Sequence, residues 1–129
     1  MADPSYPDDL LYHAEHDWAR IDDDEAALGI TWFAQDALGE VVFFEPPAVG
    51  TALVQGEPYA EVESVKAVSD VIAPLSGEIL AVNEALADTP HAINEDPYGE
   101  GRLVRVRLTD PGEQSALMDA ATYAAGLGG

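Results

Sequence analysis

The sequence lacks cysteine altogether, has few cations and contains no long apolar run. The absence of cysteine excludes disulfides, thiolate metal sites and cysteine nucleophiles. Only 5 Lys or Arg oppose 25 Asp or Glu, and the formal net charge of −20 argues against nucleic-acid and anionic-membrane partners. No stretch approaches the ~18 apolar residues of a membrane helix. Because the first ten residues also lack the basic and apolar regions of a signal peptide, we expect a cytoplasmic protein.

The composition is that of one folded domain. Hydrophobic residues make up 47% of the 129 residues, which is enough for a buried core without disulfides or metals. Residues 1–10 are polar and contain Pro4 and Pro7, so we predict a flexible N-terminal arm. No linker divides the remainder, and residues 11–129 are predicted to form a single domain.

Most of the chain has the pattern of short strands separated by turn residues. Residues 102–108 alternate between apolar and polar side chains, and Arg105 and Arg107 are expected to pair with cross-strand acids. Many short strands with few helices predict a mainly β protein, an antiparallel sandwich or barrel. The predicted strands cover residues 18–21, 26–30, 41–45, 51–54, 59–64, 68–73, 78–82 and 102–108.

Helices are predicted in only two places, apart from a single helical turn at residues 83–86. Thr31 caps a short helix that Gly39 ends. Asp110 caps a C-terminal helix, and Pro111 occupies its first position. Between these elements, residues 87–101 are predicted to be a polar loop. The C-terminal helix is expected to end at Gly126 and to bury Leu117, Met118, Ala121 and Ala125.

Lys66 is the only lysine in the chain, and it lies between two β-rich runs. A Gly-Glu pair begins ten residues before it, at Gly56, and another begins eleven residues after it, at Gly77. The lysine therefore sits near the midpoint of a quasi-duplicated unit, which predicts that it occupies the tip of a hairpin. An amine at a loop tip on a rigid scaffold suits a covalently attached swinging group. The alternative is an ordinary solvated lysine.

The stretch ESVKAVSD resembles the lipoyl-attachment hairpin of glycine cleavage system H proteins. The resemblance extends along nearly the whole chain, through HDWARI, ALGITWFAQDALGEVVFFEPPAVG, IAPLSGEILAVNEAL and INEDPYGEG. Biotin-carrying domains usually place Met on both sides of the lysine, and lipoyl domains of 2-oxo acid dehydrogenases tend to have Asp before it. Here the neighbours are Val65 and Ala67. The chain departs from the family pattern at Arg102, where a tryptophan is usual, and at Pro46-Pro47, where one proline is usual.

The resemblance implies a non-catalytic carrier with a lipoyl/biotinyl-type barrel-sandwich of antiparallel strands, short helices and a C-terminal helix. Lipoic acid would be joined to Lys66 by an amide, through a lipoylating enzyme. The arm would take the aminomethyl group of glycine from a pyridoxal-phosphate glycine decarboxylase to a folate-dependent aminomethyltransferase. A dihydrolipoamide dehydrogenase would then reoxidise it. The chain is expected to be monomeric.

The resemblance also implies which residues surround the attachment site. Asp17 and Asp70 are candidates to hold the protonated amine of the loaded arm in a surface cleft. Asp17 could equally be an ordinary strand-edge acid, and Asp70 could stabilise the hairpin turn. Glu63 and Ser64 would be read by the lipoylating enzyme, or could be solvated strand residues. The small or apolar neighbours Val65 and Ala67 leave the backbone open to that enzyme.

Other functions remain open from the sequence. The same scaffold could be a lipoyl donor that relays the group to other enzymes, or an acidic interaction module whose Lys66 is never modified. His13 and His16 have the spacing of a metal pair on a helix, but the neighbouring pattern is strand-like, and no metal site is predicted. The acidic clusters do not match the spacing of a calcium loop.

Overall fold

A computed structural model describes residues 6–128, which form nine strands and three α-helices. The first part comprises β1 (Leu11–His13), β2 (Asp17–Asp22), β3 (Glu25–Ile30) and α1 (Trp32–Leu38). The central part comprises β4 (Val41–Glu45), β5 (Ala52–Leu53), β6 (Pro58–Ser64), β7 (Val68–Ile72) and β8 (Gly77–Val82). The last part comprises a 3-10 helix (Glu84–Ala87), α2 (Ala92–Glu95), β9 (Val104–Leu108), a second 3-10 helix (Pro111–Ala116) and α3 (Ala120–Gly128).

The strands form two sheets in which every pairing is antiparallel. Six strands lie in the order β1-β2-β3-β9-β8-β5, and three in the order β4-β6-β7. One hydrophobic core joins the sheets, because inward residues of the larger sheet such as Leu28 and Ile79 cluster with Phe44 and Val62 of the smaller one. The predicted mainly β, antiparallel architecture is confirmed. No helix within residues 6–128 is long and apolar enough to span a membrane.

A second apolar cluster attaches α3 and the N-terminal segment to the larger sheet. Tyr12 of β1 stacks on Tyr123 of α3 with ring centroids 4.9 Å apart, and Tyr6 packs edge-on against both rings. Leu10 is buried in the same cluster. Residues 1–5 of the predicted arm lie outside the described residues. Two residues of the predicted arm, Tyr6 and Leu10, thus pack against the larger sheet.

A C-terminal helix is confirmed, but the prediction that it runs unbroken from Asp110 to Gly126 is wrong. The chain leaves the 3-10 helix at Leu117, whose backbone is extended, and Met118 then forms a two-way backbone bridge with Tyr12 of β1 (2.8 Å in each direction). This bridge satisfies backbone groups that a continuous helix would pair internally. Because α3 begins anew at Ala120, it turns a different set of side chains toward the core. The buried residues of α3 are consequently Ala120 and Tyr123, whereas the predicted Ala121 and Ala125 are exposed.

The remaining elements follow the predicted pattern with two omissions. The strand β1 was not predicted, and residues 87–101 contain the short helix α2, whose Ile93 is fully buried. The helix between Thr31 and Gly39 is confirmed, since the Thr31 hydroxyl accepts from Ala34 N. The predicted pairing of Arg105 and Arg107 with acids is also confirmed. Arg105 binds Glu25 and Asp22, and Arg107 binds Glu78.

The contact between β8 and β9 gives a test of the close packing at Gly77. A methyl group at this position would overlap the backbone oxygen of Arg107. We expect Gly77→Ala to lower the free energy of unfolding by about 2 kcal/mol, because backbone atoms cannot move aside easily. The matched control is Gly126→Ala in α3, where a methyl group meets nothing within 4 Å. It should raise stability by about 0.5 kcal/mol. Urea unfolding measures both, and equal effects would contradict the assignment.

Candidate functional site

Lys66 lies in the turn that joins β6 to β7, with its neighbours Val65 and Ala67 also exposed. The turn is closed by a backbone hydrogen bond of 2.7 Å from Ser64 N to Ala67 O. The lysine therefore projects from a hairpin tip, as the sequence predicts. An amine in this position is open to a macromolecular enzyme and free to carry a group that moves through solvent.

The side chain of Ser64 shapes this turn from inside. It is buried, and its hydroxyl accepts hydrogen bonds from Lys66 N (3.2 Å) and Ala67 N (3.1 Å). The same hydroxyl donates to Ala67 O (3.3 Å). Ser64 is thus not the solvated strand residue that was one alternative, whereas Glu63 beside it is exposed. The backbone on both sides of the lysine is held by one oxygen atom.

The turn that contains Lys66 is fastened to the chain that follows α1. Val65 N donates to Glu40 O (3.0 Å), so the backbone next to the lysine is bonded to residue 40. Asn94 of α2 holds the same segment: its amide oxygen accepts from Val41 N (2.8 Å), and its amide nitrogen donates to Gly39 O (2.8 Å). Sequence reasoning missed Asn94. The only feature of the sequence that pointed to Asn94 was an amide next to an apolar residue, Ile93, within the predicted loop.

Gly39 leaves room for the stem of the lysine. Its φ of 89° lies in the left-handed region, where a side chain is strained. A Cβ atom there would lie 3.3 Å from Lys66 Cε and 3.9 Å from its Nζ. The glycine that ends α1 therefore also allows the aliphatic part of Lys66 to lie across the backbone.

A cavity of about 440 Å³ opens between the hairpin and α1. The hairpin contributes residues from Ala67 to Asp70, and α1 contributes Phe33 and Ala37. The wall is largely apolar on the helix side, and the exposed Asp70 supplies a carboxylate on the hairpin side. The cavity starts at the residue next to Lys66. Its size and mixed lining suit a short aliphatic chain that ends in a polar group.

Asp17 lies behind this cavity and is not part of its surface. The preceding residues Glu15 and His16 line the cavity, while Asp17 is only 1% exposed. Within residues 6–128 its Oδ2 atom has no hydrogen-bond partner, and burial raises the pKa of this carboxyl well above its usual value. The hydroxyl of Tyr59 is likewise buried without a partner there, and burial, followed by the Asp17 charge, raises its pKa. Asp17 is therefore not an ordinary strand-edge acid.

His16 is held in the cavity wall by the C-terminal helix. Its Nδ1 lies 2.7 Å from the Tyr123 hydroxyl, which lies 2.8 Å from Thr31 Oγ1. Thr31 in turn caps α1, so Tyr123 links α3 to His16 and to the start of α1. His16 adopts a strained φ of 73°, and burial lowers the pKa of its imidazole. Among residues 6–128 no group of three or more metal-ligating side chains occurs, and His13 and His16 do not form one.

Comparisons with known proteins agree on one family. The family model described as Glycine cleavage H-protein matches residues 10–128. A glycine cleavage system H protein from Rubrobacter xylanophilus is 52% identical over 118 residues, which cover 92% of this chain and 91% of that protein. One from Symbiobacterium thermophilum is 50% identical over 117 residues, 91% of each chain. The crystal structure of a glycine cleavage system H protein from Mycobacterium marinum matches with a TM-score of 0.87 and 44% identity. That match covers 95% of this chain and 98% of the crystallised one.

The role of Asn94 in fastening the hairpin can be tested by removing its amide. We expect Asn94→Ala to lower the free energy of unfolding by about 2 kcal/mol, because Val41 N and Gly39 O lose their partner. The amide of Val65 should also exchange its hydrogen faster. The control is Asn83→Ala, which removes two hydrogen bonds to exposed loop carbonyls. Unchanged exchange at Val65 in the Asn94 variant would contradict this role.

The buried carboxyl of Asp17 predicts a specific pH dependence. Because its folded pKa is raised, the unfolded chain releases this proton first as the pH increases, and stability is lost from the unfolded pKa of about 4 up to the raised folded pKa. We expect Asp17→Asn to gain stability relative to the parent chain over that range, measured by urea unfolding at each pH. Asp119→Asn is the control of opposite sign. A hydrogen bond from Thr122 N lowers the pKa of Asp119, so this variant should lose stability relative to the parent as the pH rises.

Proposed function

The chain belongs to the glycine cleavage H-protein family, and from that membership we propose that it carries lipoic acid on Lys66 as the H protein of the glycine cleavage system. The observation that carries this proposal is the single lysine of the chain, exposed at a braced hairpin tip beside a cavity. A carrier of this kind needs one accessible amine and a rigid base.

The residues around Lys66 fit an amide-linked lipoyl group. Ser64 holds the turn so that the amine projects outward, and Gly39 leaves space for the methylene stem. The exposed Val65 and Ala67 place no charge beside the amine. When attached, the lipoyl group supplies a dithiolane that accepts the aminomethyl group of glycine. The chain itself contributes attachment, reach and shelter.

The cavity beside the hairpin supports a protective role for two acids. Asp70 lines the cavity, and we propose that its carboxylate accepts a hydrogen bond from the amine of a loaded arm. Asp17 lies behind the wall formed by Glu15 and His16, with a buried oxygen that lacks a partner. An ammonium group that entered between these residues would compensate the Asp17 charge. Until then, the unpaired oxygen of Asp17 costs stability, and such a cost is common at functional sites.

The partners follow from the proposed cycle. A glycine decarboxylase would load the arm, an aminomethyltransferase would unload it, and a dihydrolipoamide dehydrogenase would reoxidise it. A lipoylating enzyme would first modify Lys66 and would read the exposed Glu63, whereas the buried Ser64 would act through the turn that it holds. We propose that the chain is a non-catalytic subunit, because the reactive group belongs to the cofactor and the catalytic groups belong to the partners. The single domain over residues 11–129, the cytoplasmic location and the monomeric state stay predictions.

Replacement of the lysine tests the carrier function. We expect Lys66→Arg to keep its fold and positive charge but to gain no lipoyl mass when incubated with lipoate–protein ligase, lipoate and ATP. Glycine cleavage in a system reconstituted with the other three proteins should fall to background. Intact-mass spectrometry and release of carbon dioxide from glycine provide the two measurements. The parent chain is the control.

Three outcomes would contradict the proposal. A modified Lys66→Arg chain would place the attachment elsewhere. An unmodified parent chain in the presence of an active ligase would instead favour the acidic interaction module. A parent chain that is modified but inactive in glycine cleavage would favour the lipoyl-relay alternative.

A further inference from the structure

The outer face of the three-stranded sheet has a regular arrangement of side chains. In the observed register, Phe43 of β4 lies opposite Glu63 of β6, which lies opposite Val68 of β7. Two residues further from the hairpin tip, a second row consists only of acids. Residues that are directly opposite each other in neighbouring antiparallel strands share a face and have Cβ atoms about 5 Å apart. The members of the second row are Glu45, Glu61 and Asp70, all exposed. Asp70 belongs to the edge strand β7 and therefore also borders the cavity beside the hairpin.

The row nearest the tip is enlarged by an irregularity in β4. The register shifts between Val41 and Phe43, so that Val42 and Phe43 are both exposed, at 44% and 49%. Val65 in the turn and Val68 after it are exposed as well. Large apolar side chains that lie together on a surface mark a contact site more often than isolated ones do. This group lies immediately beside Lys66.

The acidic row costs stability in the isolated chain. Like charges directly opposite across strands repel each other. Among residues 6–128, the ion pairs of Arg105 and Arg107 are made on the larger sheet, with Asp22, Glu25 and Glu78. They leave the row of three acids uncompensated. An unfavourable arrangement of this kind is relieved when a partner brings positive charge.

The charge of the chain restricts the choice of partner. A second copy would bring a net charge of −20 of its own, and an anionic membrane or a nucleic acid would be repelled in the same way. A protein surface that has both basic residues and apolar patches matches both rows. The face therefore fits a basic protein partner.

The short reach of the unmodified lysine indicates that the basic partner is the enzyme that modifies it. The side chain spans five bonds, roughly 6 Å, from Cα to Nζ. An enzyme that acylates this amine must therefore bring its active site against the hairpin itself. Enzymes that use the loaded arm work at the end of a much longer chain. Contact with the outer face is thus required most strictly at the attachment step.

We propose that the outer face of the three-stranded sheet is the docking surface for the enzyme that attaches lipoic acid to Lys66, an inference that rests on the proposed carrier function. The apolar members of the row nearest the tip, Phe43 and Val68, lie on either side of Glu63 and contact apolar parts of that enzyme. Glu63 and the acidic row bind its basic residues. In the reaction, the neutral Lys66 amine attacks the carbonyl carbon of lipoyl adenylate. The new amide bond replaces the acyl–phosphate bond, the amine loses a proton, and adenosine monophosphate leaves. The face that defines this surface comprises Val42, Phe43, Glu63, Val68, Glu45, Glu61 and Asp70.

A charge-neutral variant tests the acidic row. The triple variant Glu45→Gln, Glu61→Gln, Asp70→Asn should be lipoylated with a kcat/KM roughly tenfold lower at low ionic strength, since a docking charge acts mainly on association. The difference should shrink near ~1 M salt, where such charges are screened. The matched control, Asp8→Asn, Asp9→Asn, Asp24→Asn, removes three exposed charges outside this sheet and should change the rate less than twofold. Rates are measured by intact mass with lipoate–protein ligase, lipoate and ATP.

A second pair of variants tests the apolar residues of the row nearest the tip. Phe43→Ser should lower kcat/KM about tenfold at both low and high ionic strength, because apolar contact is not screened by salt. Val49→Ser is the control, since Val49 is 65% exposed but lies outside the sheet. Thermal unfolding of each variant verifies that the fold is retained, and the acidic-row variant should unfold at a higher temperature than the parent. If a variant is unfolded, single Glu61→Gln and Val42→Thr replacements take its place.

The outcomes separate this inference from the function on which it rests. If the parent chain is lipoylated and both face variants match it, the docking surface is wrong and the carrier function stands. If the control variants lose as much as the face variants, the effect is one of net charge or folding, and the surface is again wrong. A concentration-dependent dimer of the parent that Phe43→Ser abolishes would assign the face to a second copy. Failure to modify the parent would remove the carrier function itself.

Discussion

The hydroxyl of Ser64 is the contact on which the presentation of Lys66 depends. It is buried within the turn and bonds the backbone of both residues that follow Val65, so the exposed amine has a fixed base. That base continues through Val65 N to Glu40 O, and through Asn94 to the end of α1. A group attached to Lys66 can be mobile and still start from a defined point, because the backbone nitrogens of Val65, Lys66 and Ala67 are all hydrogen-bonded.

The interior beneath the cavity contrasts with this well-bonded turn. Asp17 and Tyr59 each bury a polar atom without a partner in the described part of the chain, and each such atom costs stability. Most of the surrounding core consists of well-packed aliphatic residues. The two groups are near each other, since the Asp17 charge contributes to the raised pKa of Tyr59. The wall itself is held by Tyr123, so the C-terminal helix contributes to the site although it lies far from Lys66 in the sequence.

Much of the fold and the position of the lysine could be predicted from local patterns. The alternation of residues 102–108 and the Thr31 cap act over a few residues, and both are confirmed. The C-terminal helix was mispredicted because a long-range bridge between Met118 and Tyr12 outweighs local helix signals. The contribution of Asn94 could not be predicted either. An asparagine in a polar segment is ordinary until α1 and β4 are brought against it. The burial of Asp17 similarly depends on strands that come later in the chain.

Because Lys66 is the only lysine, its acylation can be measured on the whole protein. With one side-chain amine, the chain is either bare or acylated at Lys66, and it does not form a mixture of positional isomers. Acylation removes the only cation of the hairpin, so the net charge becomes one unit more negative. The fraction of molecules shifted on an ion-exchange column is therefore the occupancy of a single atom, Lys66 Nζ, and a bulk separation reports the same quantity as a site-specific assay.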